Sequence, residues 1–193
     1  MTEPLAIDAK TAALLVMDYQ VAIVDGYAAE KEALLERMAG VIGAARAAGM
    51  MVIYVGVGFR DGYPEVSPRN LLFSGVKAAG RLAAGRPDSA IHPAVAPRAG
   101  EVVVTKHRVG AFPGTDLDMV LRANGIETMV LAGIATSGVV LSTLRHAADA
   151  DYRLVVVRDC CSDRDEEVHR VLMEKVFPRQ AAVVTAADLC GVL

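Results

Sequence analysis

The stretch TMVLAGIATSGVVLSTLRHAADADYRLVVVRD, Thr128 to Asp159, reads as a strand, a turn of small residues, a helix and a second strand. Its two flanking runs are continuously apolar at their centres rather than alternating, which is what a strand needs when helices cover both faces of its sheet. Between them, Ser137 to Ala150 has the length and composition of a helix. A strand, helix, strand unit of this kind joins parallel neighbours through a right-handed crossover. The reading therefore predicts a parallel sheet with helices on either side.

Working outward, the same apolar signature recurs as AALLVMD (Ala12 to Asp18), MMVIYVGV (Met50 to Val57), EVVVT (Glu101 to Thr105) and, near the end, AAVVTA. Helix-period segments separate the runs. Glu30 to Ala48 places Leu34, Leu35, Met38, Val41, Ile42 and Ala45 on one stripe, and Thr115 to Ala123 and Asp165 to Phe177 follow the same pattern. Gly49 and Gly125 stand where helices should stop, at positions that favour positive φ. The alternation predicts an α/β fold, a three-layer α/β/α sandwich with an open, mainly parallel six-stranded sheet, formed by residues 1–193 as a single domain. The exception is Gly58 to Gly100, which holds prolines at 64, 68, 87, 93 and 97. It reads as an irregular excursion around one short helix, a length at which loops often serve as lids or partner contacts.

Composition excludes several functions. Of 193 residues, 53% are hydrophobic, yet no apolar run approaches the roughly 18 residues of a membrane span. The start MTEPLAIDAK carries acidic residues and proline instead of a basic, then apolar, leader, which predicts a cytoplasmic protein. A formal net charge of -3 without a basic run argues against nucleic acid and for a small-molecule ligand. The three cysteines, Cys160, Cys161 and Cys190, lack paired CxxC spacing. They read as buried or incidental thiols, with a reactive Cys160 or Cys161 as the alternative.

In such a sheet, ligands collect at the carboxyl ends of the strands, near the switch in strand order. The first strand delivers Asp18 to that edge after apolar residues that cannot solvate it, and the third delivers Lys106 to the same edge. A buried carboxylate there has a raised pKa unless a cation sits close by, so the two suggest a pair. The alternative is that Asp18 caps a turn and Lys106 is a surface amine.

Three segments, LLVMDYQ (Leu14 to Gln20), VVTKHRVGAF (Val103 to Phe112) and LAGIATSGVVLSTLRHAADADYRLVVVRDCCSD (Leu131 to Asp163), together resemble the isochorismatase-like hydrolase superfamily, which includes nicotinamidases, N-carbamoylsarcosine amidases and other cysteine hydrolases. The resemblance implies an Asp, Lys, Cys triad whose first two members are Asp18 and Lys106. The family's G-x-x-T-x-x-C-V pattern falls on Gly133 to Val140, so Val139 stands in the place of the cysteine. Valine forms no acyl adduct. Isochorismatases of the superfamily also lack the thiol, having glycine there, and cleave a vinyl ether by protonation and water addition. By the same resemblance, Ala135 follows a cis peptide and the backbone N–H groups of Thr136, Ser137 and Gly138 hold a substrate oxygen. Ser137 itself reads as a helix cap rather than a substitute nucleophile.

Gln20, Arg60, Tyr63, Arg69, Asn70 and Phe112 complete the expected substrate-binding set. Two guanidiniums could clamp a carboxylate, while Phe112 would give an apolar wall. Alternatively, Arg60 or Arg69 pairs with Glu65 or Asp61, or the loop meets another subunit. The nicotinamidase metal motif, Asp-x-His-x-x-x-His, is reduced here to Asp61 in GFRDGYPEVSPRN, so no catalytic metal and no cofactor is expected. His92, His107, His146 and His169 read as polar or capping residues, and Asp159 and Ser162 as loop fasteners and a cap for the next helix. The expectation is a cysteine-independent hydrolase of a small carbonyl- or carboxylate-bearing molecule, assembled as a homo-oligomer (dimer or tetramer). The alternative is an inactive relative that keeps the pocket as a binding or regulatory module.

Overall fold

The computed structural model describes residues 5–28 and 30–193. Residues 1–4, part of the stretch read above for a leader, lie outside the described residues. Six strands, β1 (Ala12–Met17), β2 (Met51–Val57), β3 (Val102–Lys106), β4 (Thr128–Ile134), β5 (Arg153–Ser162) and β6 (Ala182–Val184), form one sheet. Their order is β3-β2-β1-β4-β5-β6, and every neighbouring pair is parallel. The order reverses between β1 and β4, which makes the carboxyl ends of these two strands the natural crevice.

Both central strands are buried along their whole length, as their unbroken apolarity requires. Ala13, Leu15 and Met17 face a core shared with α4 (Leu117–Ala123), α5 (Leu141–Asp149) and the helical turns Leu172–Val176 and Phe177–Arg179 that continue α6 (Glu166–Val171). Ala12, Leu14 and Val16 face the opposite core, with α1 (Val21–Tyr27), α2 (Lys31–Ala47) and α7 (Ala186–Cys190). All six residues of the stripe read on α2 are buried. Gly49 and Gly125 have φ of 73° and 63°, which suits glycine after a helix.

Differences from the sequence reading sit at helix ends. The helix expected from Ser137 opens with one π-helical turn, Thr136–Val140, before α5. The segment expected from Asp165 to Phe177 is α6, then a π turn Leu172–Val176, then a 3-10 turn Phe177–Arg179 that holds Pro178. Two short helices carried no expectation. α1 has neither a side-chain cap nor an acidic first turn, so nothing in its sequence marks a start. α7 has only five residues, although Thr185 and Asp188 form a capping box at its entry.

The excursion between β2 and β3 holds one helix, α3 (Leu71–Ala78), and two 3-10 turns. It folds on a small apolar cluster of its own, Val57, Phe59, Tyr63, Val66, Phe73 and Leu82. The rings of Phe59 and Phe73 meet edge to face at 5.2 Å. Burying each such ring contributes roughly 1.5–3 kcal/mol, which seats the excursion beside the end of β2. Among the described residues, no helix is long and apolar enough to cross a membrane.

Candidate active site

Asp18 is the first residue past β1 and has a φ of 57°, a left-handed conformation that aspartate tolerates better than most side chains. Its N–H donates to the Val55 carbonyl at 2.7 Å, which holds the turn against β2. Lys106 ends β3, in register with Val57 and two strands away from β1. Adjacent strands lie about 4.8 Å apart, so a gap of roughly 10 Å must be crossed, and lysine's long stem crosses it. Its Nζ lies 2.8 Å from Asp18 Oδ2, with the two side chains only 2% and 6% exposed. Nζ also donates to the Arg108 carbonyl at 3.0 Å. Asp18 Oδ1 is buried and has no hydrogen-bond partner among the described residues. Burial raises the Asp18 carboxyl above its ordinary pKa, against the opposing pull of Lys106.

The third edge of the site is the turn after β4. The Ile134–Ala135 peptide is cis. Gly133 is in register with Met17, and a Cβ there would lie 3.0 Å from both the Met17 Cβ and carbonyl oxygen and 3.2 Å from Val139 Cγ1. Only glycine lets the end of β4 come this close to β1 and to the turn that follows. Asp18, Lys106, Ala135, Gly138 and Val139 line a common cavity of 140 Å³. Its remaining apolar walls are side chains of α1 and α3, Ile23, Tyr27, Leu72, Phe73 and Val76, together with Val57, Leu82, Val109 and Ile134. Arg81 stands at the same cavity with its side chain exposed. Arg164 stacks over the Tyr27 ring at 4.1 Å and so backs that wall.

Several residues of the turn are engaged elsewhere. Thr136 Oγ1 hydrogen-bonds His169 Nδ1 at 2.8 Å, and the Ser137 N–H and Oγ–H both donate to Asp163 Oδ2 at 2.7 Å. The Gly138 and Val140 N–H groups donate to the Ala135 carbonyl at 3.1 and 3.3 Å. Ser137 thus has a carboxylate for a partner and caps nothing with its side chain.

The structure separates the rest of the expected set from the cavity. Gln20 uses both ends of its amide on backbone. Oε1 accepts from the Val57 N–H at 2.8 Å, while Nε2 donates to the Val57 carbonyl at 2.9 Å and to the Ser89 carbonyl. It ties the end of β1 to β2 and to the excursion. Arg60 pairs with Glu65 at 2.7 Å and is 73% exposed. Tyr63 donates its hydroxyl to the Arg81 carbonyl, and Asn70 Oδ1 caps α3 by accepting from the Phe73 N–H. Arg69 is exposed beside that cap. Phe112 stacks on His146 at 4.2 Å, within the core under α5. Val109, three residues earlier, supplies the apolar wall instead.

Cys160 and Cys161 are buried, and neither lines the cavity. Burial pushes the Cys161 thiol up to about 12 and raises that of Cys160 as well. Asp159 Oδ1 accepts from the Ala186 N–H and Ser162 Oγ donates to the Tyr27 carbonyl, so both fasten loops. The cap of α6 is Asp165, which accepts from the Glu167 and Val168 N–H groups. The sequence reading missed Arg81, Ile23 and Tyr27, because α1 had no start signal and the excursion's path brings Arg81 to the edge only in three dimensions.

A family model described as "Isochorismatase domain" matches residues 12–188, which takes in all six strands. The chain belongs to the isochorismatase family. Among curated relatives, maleamate amidohydrolase of Pseudomonas putida is 32% identical over 162 residues, covering 84% of this chain and 75% of its own length. A ureidoacrylate amidohydrolase, RutB, of Methylorubrum extorquens is 36% identical over 178 residues, covering 81% of this chain and 72% of that one. An isochorismatase family protein from Burkholderia thailandensis has a solved structure that superposes with a TM-score of 0.82 at 33% identity, covering 97% of each chain. The molecule is thus a member of the isochorismatase-like hydrolases, with their three-layer architecture.

Proposed function

We propose that this isochorismatase-family chain hydrolyses a small carbonyl- or carboxylate-bearing molecule through acid–base chemistry of Asp18 and Lys106, without a nucleophilic thiol. The observation that carries the reading is the asymmetry of the Asp18 carboxyl. Lys106 holds Oδ2 at 2.8 Å, while Oδ1, buried at the cavity, has no hydrogen-bond partner among the described residues. An unsatisfied buried carboxylate oxygen costs free energy unless a ligand uses it. With its pKa raised by burial, Asp18 is suited to proton transfer nearer neutral pH than an ordinary carboxyl.

In this reading Oδ1 gives a proton to the leaving atom of an amide or to the carbon of an enol ether. Water then adds to the electron-poor carbon and returns one proton to Asp18. In the adduct the bond to the leaving nitrogen or ether oxygen breaks, the amine departing with the proton already received and the alcohol with one given back by Asp18. Lys106 orients the carboxyl and stabilises its charged form. Val139 has no lone pair, so the reaction proceeds without a covalent acyl intermediate and the side chain serves as apolar wall. Loss of such proton transfer typically costs about 10²–10⁴-fold in rate.

Turnover of a panel of enol ethers, amides and carbamoyl compounds by the unmodified protein and by Asp18→Asn tests the reading. It expects turnover of at least one compound and its loss in the variant; undiminished turnover in the variant defeats it. The family's inactive alternative, a binding module, draws on the lack of any thiol lining the cavity among the described residues. Tight binding of one panel member with no turnover would select that alternative.

A further inference from the structure

Lys106 is committed to Asp18, yet a second cation stands at the same cavity. The Arg81 guanidinium donates one hydrogen bond, from Nη2 to the Ala22 carbonyl at 3.2 Å, and among the described residues makes no ion pair. Its backbone is fixed from both sides. The Arg81 N–H donates to the Val76 carbonyl at 3.1 Å, and its carbonyl accepts from the Tyr63 hydroxyl at 2.9 Å. The next residue, Leu82, is buried at a φ of 58°, a conformation unfavourable for a leucine that the surrounding cluster maintains. This kink presents Leu82 as wall and Arg81 at the rim of one cavity. The guanidinium therefore adds to the cavity a positive charge that no carboxylate pairs among the described residues.

The cavity is small and open at its rim. At 140 Å³ it is close to the apolar cavity of about 150 Å³ that accommodates benzene, so the part of a ligand seated in it is a body of about six non-hydrogen atoms. Its walls are otherwise aliphatic and aromatic. We infer that the cavity takes a small monocarboxylate, whose carboxylate Arg81 holds at the rim while its unsaturated or aliphatic body lies among Ile23, Val57, Phe73 and Val139 toward Asp18. The inference rests on reading this cavity as the substrate site, and it assigns Arg81, rather than Arg60 or Arg69, the role of anion anchor. A guanidinium suits that role because it presents paired donors to both carboxylate oxygens.

Crotonate and crotonamide, equal in size and differing only in O⁻ against NH₂, test it by calorimetric titration. The unmodified protein should bind crotonate roughly tenfold or more tightly than crotonamide, as one charge-assisted contact implies. Arg81→Met should abolish the preference and leave crotonamide binding unchanged; Arg81→Lys should retain part of it. Equal affinity for both probes, absence of saturable crotonate binding, or a preference that survives Arg81→Met overturns the inference. Equal weakening of both probes by Arg81→Met makes the residue a structural brace and overturns it too. The readout is binding, so a failure of Asp18→Asn to abolish turnover would defeat the catalytic reading while leaving this result intact.

Discussion

β3 carries an ion pair at each end. Before its first residue, Glu101 meets Arg46 of α2; at its last, Lys106 meets Asp18; the closest N to O separation is 2.8 Å in both. At the starting end, Arg46 donates to both Glu101 oxygens and the Arg98 N–H supplies a third bond, so the carboxylate is fully satisfied. Those hydrogen bonds, Arg46 foremost, hold Glu101 below its ordinary pKa. At the finishing end the carboxyl is more deeply buried, keeps one oxygen unpartnered, and is raised. Equal separations thus give opposite protonation behaviour, because desolvation and the number of donors decide the sign. The first arrangement suits a brace, and the second suits a group that exchanges protons.

The largest expected effect separates the two in activity. Asp18→Asn, which keeps the left-handed turn accessible, should lower turnover about 10²–10⁴-fold, whereas Glu101→Gln should leave it essentially unchanged. Equal losses in steady-state assays would erase the distinction. The next effect is on stability, read by urea unfolding at neutral pH. Lys106→Met strands a buried carboxylate and should cost about 3–5 kcal/mol, while combining it with Asp18→Asn should recover most of that loss. Glu101→Gln, with Arg46 still able to reach the Tyr54 hydroxyl, should cost about 1 kcal/mol.

A smaller effect lies in the pH dependence of unfolding. The Glu101 pKa is lowered in the folded chain, so its contribution is present above the ordinary value of 4.5 and is lost as pH falls through the lowered one. The Asp18 pKa is raised, so its contribution is complete below the ordinary 3.8 and is lost as pH rises through the raised one. Descending from neutral pH into acid, the stability advantage of the unmodified protein should shrink against Glu101→Gln and grow against Asp18→Asn. Parallel trends would break the comparison. The smallest effect sharpens it by testing for a thiol at either end. Brief alkylation of the native protein near neutral pH should modify exposed Cys190 and spare Cys160 and Cys161, as counted by mass spectrometry, since burial keeps both thiols protonated.

Legibility differed between framework and site for a physical reason. Strands buried on both faces must be apolar at every position, so β1, β4 and most of β5 stand out in one dimension. Asp18 and Lys106 were legible as well, because each is a charge at the end of such a run. Arg60, Arg69 and Asn70 shared the correct edge of the sheet but were diverted by local partners, Glu65 for the first and the α3 cap for the last. Gln20 was diverted by the backbone of β2. A spacing argument does not contain those competitors. Phe112 lies in the core instead, where it stacks on His146 and is buried.

The order of apolar runs and helix periods determined the layered parallel sheet, since burial on both faces leaves few other ways to cover those strands. The same one-dimensional record placed an acid and an amine at the carboxyl edge. What only the tertiary structure decided is their mutual reach across β2, the unpartnered second oxygen of Asp18, and the rim formed by Arg81. Each depends on how strands and the excursion pack side by side, and desolvation at a point is set by neighbours remote in sequence.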